Sequence, residues 1–403
     1  MTDEQRAAVV VGSGPAGLAT AAELVQQGVP VTVLERGPRL GAAWASRYDG
    51  LRFNTSRIHS ALPGAPFPRS FGQFPTRDQY VAYLGDYARS RGVHVATGVR
   101  LTGVSSAPGG WELSTSRGGL ATRNLVLATG IYSEPVVPAW PGAGTFGGRV
   151  LHAADYRNPA PYAGRDVLVV GAGSTGMEIA RELAEGGAGT VWLSYRTPPN
   201  ILLRQSGGVP ADLPVPLFLR LPDRVVDRML AGIQRVTVGD LTPYGLPEPG
   251  GGVMAQLKAR GAGTAIVDRE VVDAIRAGRV RVVPAVRDLD AQGAVLADGS
   301  RVRPDVVVAA TGYGTGLEPL VGHLGVLGER GLPREATGGP AAPGLWFVGY
   351  VLRPGLTGYA GRLARRAAAG IAARERASRT ARRDSRPPAS RGSTSRARAA
   401  SPG

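Results

Sequence analysis

An α/β chain with two parallel-sheet units, the second inserted in the first, is what the sequence predicts. Three observations predict it. GSGPAG at 12–17 follows an apolar run and precedes a helical pattern. GAGSTG at 171–176 repeats that grammar. Two further apolar strands each run into an Ala-Thr-Gly turn, at 128–130 and 310–312.

The first unit begins with Ala7–Val11, a continuous apolar run that reads as a buried parallel strand. The turn 12–17 follows, then a helix over 18–27 and a second strand over 29–34 that ends at Glu35. This is a complete βαβ unit. The second unit has a strand over 166–170, the turn 171–176, a helix to about 185 and a strand over 190–193. Two such units mean two Rossmann-like dinucleotide-binding domains. Strands over 124–127 and 305–308 enter the two Ala-Thr-Gly turns. The expected layout is 1–155 for the first part of the outer domain and 156–312 for the inserted domain. Residues 313–375 then return to the outer domain, with a strand over 345–348 and a helix over about 359–374. Between 197 and 260 lies a Pro-rich stretch, in which 222–236 reads as a helix with Val226, Met229, Leu230 and Ile233 on one face.

Composition narrows the chemistry. The 403 residues contain no cysteine and four histidines, so thiolate metal sites and a protein dithiol are excluded and a zinc or iron site is disfavoured. The formal charge is +16, but Arg is concentrated after residue 375. Residues 376–403 are mostly Arg, Ser, Ala and Pro with Asp384 as the one acid, and are expected to form a disordered tail rather than a nucleic-acid arm. No apolar run is long enough to span a membrane, and the acidic N-terminus is unlike a secretion signal. A cytoplasmic location is expected.

In each glycine motif the first Gly makes the turn, the second lets a pyrophosphate approach, and the third lets helix and strand pack. The helix N-terminus supplies N–H donors to the phosphates. Gly12, Ser13, Gly14, Pro15, Ala16 and Gly17 are therefore expected to contact one dinucleotide, and Gly171, Gly173, Ser174, Thr175 and Gly176 another. The strand ends tell them apart. Glu35, 23 positions after Gly12, is placed to accept from ribose hydroxyls. The same offset from Gly171 reaches Ser194, with Arg196 two residues on. A carboxylate there would repel a 2′-phosphate, whereas a hydroxyl and a guanidinium would bind one. FAD is expected at the first unit and NADPH at the second.

Between the units stands Phe146-Gly147-Gly148-Arg149-Val150-Leu151-His152-Ala153-Ala154-Asp155-Tyr156. The pattern of Phe146, Gly148, His152 and Tyr156 resembles the fingerprint of flavin-containing monooxygenases and their N-hydroxylating relatives. Baeyer–Villiger enzymes resemble it too, usually with Trp at the last place. Gly41 to Trp44, Leu51 to Thr55, Pro66-Phe67-Pro68 and Phe74-Pro75-Thr76 are similar to further segments of that family. Residues 239–246 and 267–279 are similar to its YUCCA-type branch. Departing from the family's G-x-G-N-S-G, this chain has Ser174-Thr175.

The resemblance implies a monooxygenase in which NADPH reduces FAD and O2 then forms a C4a-(hydro)peroxyflavin. It implies a small organic substrate, such as a 2-oxo acid or a nitrogen compound, and leaves open whether oxygen goes to N, S or carbon. It places Asn54 at the reacting flavin edge and extends the cofactor contacts to Arg36, Ala43, Trp44, Thr55, Val99, Thr129, Gly130, Thr311, Gly312 and Gly349. His152 is a motif residue with no acid–base role. A flavin reductase and a redox-sensing flavoprotein are the rival readings, and a homodimer is left open beside a monomer.

Overall fold

The computed structural model describes residues 5–261, 264–353 and 355–384. Strand β1 (Arg6–Val11) is the buried Ala/Val run, and it passes through the first glycine turn into α1 (Pro15–Gln26). Pro15 suits the first helical turn, where its missing N–H has no partner to lose. Strand β2 (Val31–Glu35) returns parallel to β1, with Val10 opposite Val33. Helix α2 (Arg77–Ser90) starts at a capping box between Thr76 and Gln79. Strand β3 (Val95–Thr97) adds the edge beside β2. An antiparallel arm follows: β4 (Leu101–Ala107), β5 (Gly110–Thr115) and β6 (Gly118–Leu127). The end of β6 lies parallel to β1 on its other side.

The chain then enters the second sheet. Strand β7 (Arg149–His152), placed by sequence in the first unit, pairs in parallel with β13 (Val306–Ala309). The crossover thus precedes residue 149 rather than following 155. Strand β8 (Val167–Val170), α3 (Ser174–Glu185) and β9 (Val191–Ser194) repeat the βαβ unit. Next come β10 (Asn200–Leu203), α4 (Val215–Phe218), α5 (Asp223–Thr237), α6 (Val253–Arg260) and β11 (Thr264–Val267), with β11 paired to β10 outside the main sheet. Helix α7 (Arg269–Arg276) and β12 (Arg281–Val283) complete an all-parallel order β12-β9-β8-β13-β7. Of the apolar face expected on α5, Val226 is buried, but Met229 and Ile233 are each 43% exposed. Among the described residues no element covers these two side chains.

The return segment supplies β14 (Pro340–Ala342), β15 (Leu345–Phe347) and α8 (Leu356–Asp384). Strand β15 lies parallel to β6, giving the order β14-β15-β6-β1-β2-β3. Ala364, Ala367, Ala368 and Ile371 of α8 share one buried core with Leu18, Ala21 and Ala22 of α1. These small side chains let the two helices approach closely, and burying Ile371 alone contributes about 2 kcal/mol. The tail expected from 376 is corrected over its first part, because α8 continues to Asp384. Ala and Arg are strong helix formers. Glu375 anchors this end: buried, it accepts from Arg123 Nε and Nη2 and from Asn124 Nδ2 at 2.6–3.1 Å. Residues 385–403 of the expected tail lie outside the described residues.

Candidate functional site

Both glycine turns have the geometry that their sequences imply. Gly12 has φ +106°, and a Cβ there would sit 2.6 Å from the Ala128 carbonyl oxygen. A Cβ on Gly17 would sit 1.9 Å from the Gly12 carbonyl oxygen. The second turn copies this, with Gly171 at φ +116° and a Gly176 Cβ 1.8 Å from the Gly171 oxygen. At the middle glycines, Gly14 and Gly173, an added Cβ would meet nothing. Each is the N-cap of its helix, and neither helix has a side-chain cap. The first N–H groups of both helices are therefore left for an approaching anion. Pro15, Ala16 and Thr175 lie in these first turns.

The strand ends differ more than sequence suggests. Glu35 is buried and already accepts three hydrogen bonds. Ser13 donates to Oε2 through its N–H at 3.0 Å and its hydroxyl at 2.6 Å, and Gly37 N–H donates to Oε1 at 2.7 Å. Ser13 Oγ also accepts from Gly41 N–H, so Ser13 serves the fold. At the matching position Ser194 is 1% exposed, and its hydroxyl donates to the Pro284 carbonyl at 2.7 Å. The expectation that Ser194 offers this hydroxyl to a phosphate is corrected: strand β12 is followed at once by Pro284, whose carbonyl takes it. Ser174 differs: its Oγ accepts from Ile266 N–H at 2.9 Å, which leaves its hydroxyl hydrogen available to a phosphate. Arg196 is exposed and pairs with no carboxylate among the described residues.

Around the first turn, Thr129 donates its N–H to the Tyr350 hydroxyl at 3.1 Å, and Gly349 lies against Ala16. Gly130 opens to space, Val99 is buried with its N–H on the Glu35 carbonyl, and Arg36 donates to the Ser133 carbonyl. Ala43 is exposed, and Trp44 stacks on Phe53 at 5.1 Å and meets Tyr80 edge-on at 4.7 Å. In the second unit Thr311 donates to the Val136 carbonyl.

The residues of the linker motif are held by packing and hydrogen bonds. The Phe146 ring lies so close over Gly148 that a Cβ there would be 2.7 Å from it. His152 is buried. Its Nδ1 accepts from Ala154 N–H at 3.0 Å, which leaves Nε2–H to donate to the Gly312 carbonyl at 3.0 Å. Burial lowers its pKa, so the ring is held neutral. Tyr156 is fully buried, stacks on Tyr162 and donates to Glu182.

Asn54 brings in residues that sequence reasoning missed. Its Oδ1 accepts from Arg204 Nη2 at 3.4 Å, which leaves the amide's Nδ2 donor facing away from the guanidinium. Arg204, 3% exposed, directly follows β10 and also pairs with Glu178 and, at 2.6 Å, with Asp268. Phe74 lies under its guanidinium at 5.9 Å. Glu178 in turn accepts from the Tyr48 hydroxyl. Burial pushes the Glu178 carboxyl up to about 7 against the pull of Arg204, and burial beside Glu178 pushes Tyr48 up. Nearby, Asp212 accepts on one oxygen from Ser56 N–H and hydroxyl, both at 2.8 Å, and contacts His59 Nδ1 at 3.0 Å. Thr55 bonds Ser60 at 2.7 Å. Asn54, Thr55, Ser56 and His59 thus sit on a loop held from the inserted unit by Arg204 and Asp212. A polar cavity of about 320 Å³ opens beside it, lined by Arg52, Gln205, Asp268 and Arg269.

Comparison with known proteins agrees with this geometry. The family described as pyridine nucleotide-disulphide oxidoreductase matches residues 9–201. Indole-3-pyruvate monooxygenase YUCCA1 of Oryza sativa subsp. japonica is 36% identical over 328 residues, spanning 80% of this chain and 80% of its own length. A probable indole-3-pyruvate monooxygenase, YUCCA8 of Arabidopsis thaliana, is 32% identical and spans 87% and 85%. Among solved structures, a flavin-containing monooxygenase from Stenotrophomonas maltophilia is similar with TM-score 0.69 at 26% identity, covering 91% of this chain and 98% of that one. With paired glycine turns, an Asn54 loop clamped between the units and relatives of this length and identity, the chain belongs to the flavin-containing monooxygenase family.

Proposed function

We propose that the protein is an FAD-dependent, NADPH-consuming monooxygenase that inserts one oxygen atom of O2 into a small organic substrate, with 2-oxo acids as the first class to test. The observation that carries this reading is the pair of uncapped helix N-termini behind Gly14 and Gly173, each glycine with open space where a Cβ would stand. The first would hold FAD, with Glu35 keeping acceptor capacity for a ribose hydroxyl. The second would hold NADPH, with Arg196 reading the 2′-phosphate. Bound flavin would supply hydride acceptance and oxygen activation.

The chain's own residues do the rest. Arg204 fixes the carbonyl of Asn54, so the amide donor of Asn54 is presented to the reacting edge. Glu178 and Asp268 hold Arg204 in place. His152 joins the linker to Gly312 as a neutral donor and moves no proton. The YUCCA relatives are named for indole-3-pyruvate, which makes it the test substrate. Purified yellow protein should consume NADPH faster in its presence and place isotopically labelled oxygen from O2 in the product. NADPH consumption that yields only peroxide with every 2-oxo acid, amine and sulfide tried would leave a reductase.

A further inference from the structure

Apolar side chains left in water are concentrated in one short stretch of this molecule. Val209, Leu217 and Val236 are 58%, 56% and 86% exposed. Leu213, Leu219, Val225, Met229 and Ile233 are each at least 40% exposed within the same stretch. On α5, Val225, Met229, Ile233 and Val236 recur at spacings of four, four and three, so they form one stripe. Arg224, Arg228 and Arg235 each stand one residue before a member of that stripe. A second, cationic stripe therefore runs beside the first, about 100° around the helix.

The charges of this segment do not cancel. Asp212 is taken up by Ser56 and His59, Asp223 by Lys258, and Asp227 by the N–H groups of Met254 and Ala255 that open α6. Arg220, Arg224, Arg228 and Arg235 are exposed and pair with no acid among the described residues. An apolar cavity of about 200 Å³, lined by Leu202, Leu203, Pro214, Phe218, Leu230 and Ile233, opens beneath the same helices.

We infer that the α4–α5 face docks on an anionic phospholipid surface, with the apolar stripe entering the acyl boundary and the arginines meeting the headgroup phosphates. Charge complementarity selects this occupant. A two-fold contact with a second copy would bring the same arginines together, on a chain whose formal charge is already +16. An anionic bilayer offers apolar depth and negative charge at once. The inference does not depend on the proposed reaction, since it concerns the outer side of α5.

The test is flotation of the full chain, loaded with FAD, with vesicles of phosphatidylcholine alone or with phosphatidylglycerol added. Binding is expected to the mixed vesicles only, and to weaken as salt rises. Arg224→Ser with Arg228→Ser should weaken it roughly 25-fold, at about fivefold per arginine. Met229→Glu with Ile233→Glu should abolish it, while bound flavin and NADPH oxidation in solution stay unchanged. Three results would overturn the inference: no binding to the mixed vesicles, binding that both double variants keep, or a dimer by light scattering that Met229→Glu dissolves. The last would assign the face to a second copy.

Discussion

In the first glycine turn an added Cβ at Gly17 would come within 1.9 Å of a carbonyl oxygen, and in the second one at Gly176 would come within 1.8 Å. The backbones of the two turns are interchangeable to that degree, yet the strands beside them end in opposite ways. Glu35 carries a carboxylate tied into its own turn by Ser13 and Gly37. Ser194 carries a hydroxyl turned inward to Pro284, leaving Arg196 as the outward group. A common backbone makes both turns pyrophosphate sites, and the difference between nucleotides rests on few side chains. Ser13 adds to the contrast, since its hydroxyl donates to Glu35, while Ser174 in the second turn accepts from Ile266 N–H and keeps its own donor.

The hardest test of this comparison is to damage one turn at a time. Gly17→Ala forces backbone to move, a cost of about 1–3 kcal/mol or more. It should give colourless protein that does not take up FAD. Gly176→Ala should stay yellow but lose at least a hundredfold in NADPH-dependent flavin reduction, read by stopped-flow absorbance. If either variant loses both cofactors equally, the two turns are not separate sites.

The clamp between the units comes next in size. Arg204→Met leaves Glu178 and Asp268 without their shared cation, and breaking a buried pair costs about 3–5 kcal/mol. Thermal unfolding should show that loss. At a temperature where the variant is folded, peroxide released per NADPH should rise. Arg204→Met should add little to that release in an Asn54→Ala background if Arg204 acts through Asn54.

A smaller effect sharpens the strand-end contrast. Losing a hydrogen bond to a charged group costs roughly 1.5–3 kcal/mol. Arg196→Ala should therefore raise the NADPH KM about ten- to a hundredfold while the NADH KM stays nearly level. Ser194→Glu is no longer a clean swap, because the new carboxylate would start in the place of a buried hydroxyl. It should lower stability as well as NADPH affinity, and a variant that simply gained NADH use would contradict the inward Ser194.

The last expected effect is on stability against pH. The folded-state pKa of Glu178 is raised to about 7 by burial. Its contribution to stability is therefore full below the unfolded-state value near 4.5 and is lost as pH rises through about 7. Glu178→Gln should flatten the fall in unfolding free energy between pH 5 and 8, measured by urea titration. An unchanged slope would mean that Arg204 keeps the carboxylate ionised throughout.

Sequence carried the parts of this molecule that backbone geometry dictates. Gly12 and Gly171 need positive φ, and Gly17 and Gly176 need close approach, so spacing alone revealed both turns and the sheets behind them. The Arg204 clamp left no such trace. Its members at 48, 54, 178, 204 and 268 come from separate elements and meet only after both units fold. Ser194 misled for a related reason, since the carbonyl that takes its hydroxyl belongs to Pro284, 90 residues on. The end of α8 was placed too early because its apolar residues stop before its helix formers do. On α5 the apolar period was read correctly, but periodicity does not say what lies opposite.

Glu375 closes the molecule in a further sense. It is buried on Arg123 and Asn124, about 250 residues earlier in the chain, and β15 beside it fills the edge of β6. During synthesis the inserted unit, with its strands from 149 to 309, has all it needs while the outer sheet still lacks its last parallel strand and the helix that covers α1. Contacts of such long range form late. The flavin unit, although it emerges first from the ribosome, is thus the last to be finished, and the nascent chain must keep the uncovered face of α1 from other apolar surfaces until residues 345–375 arrive.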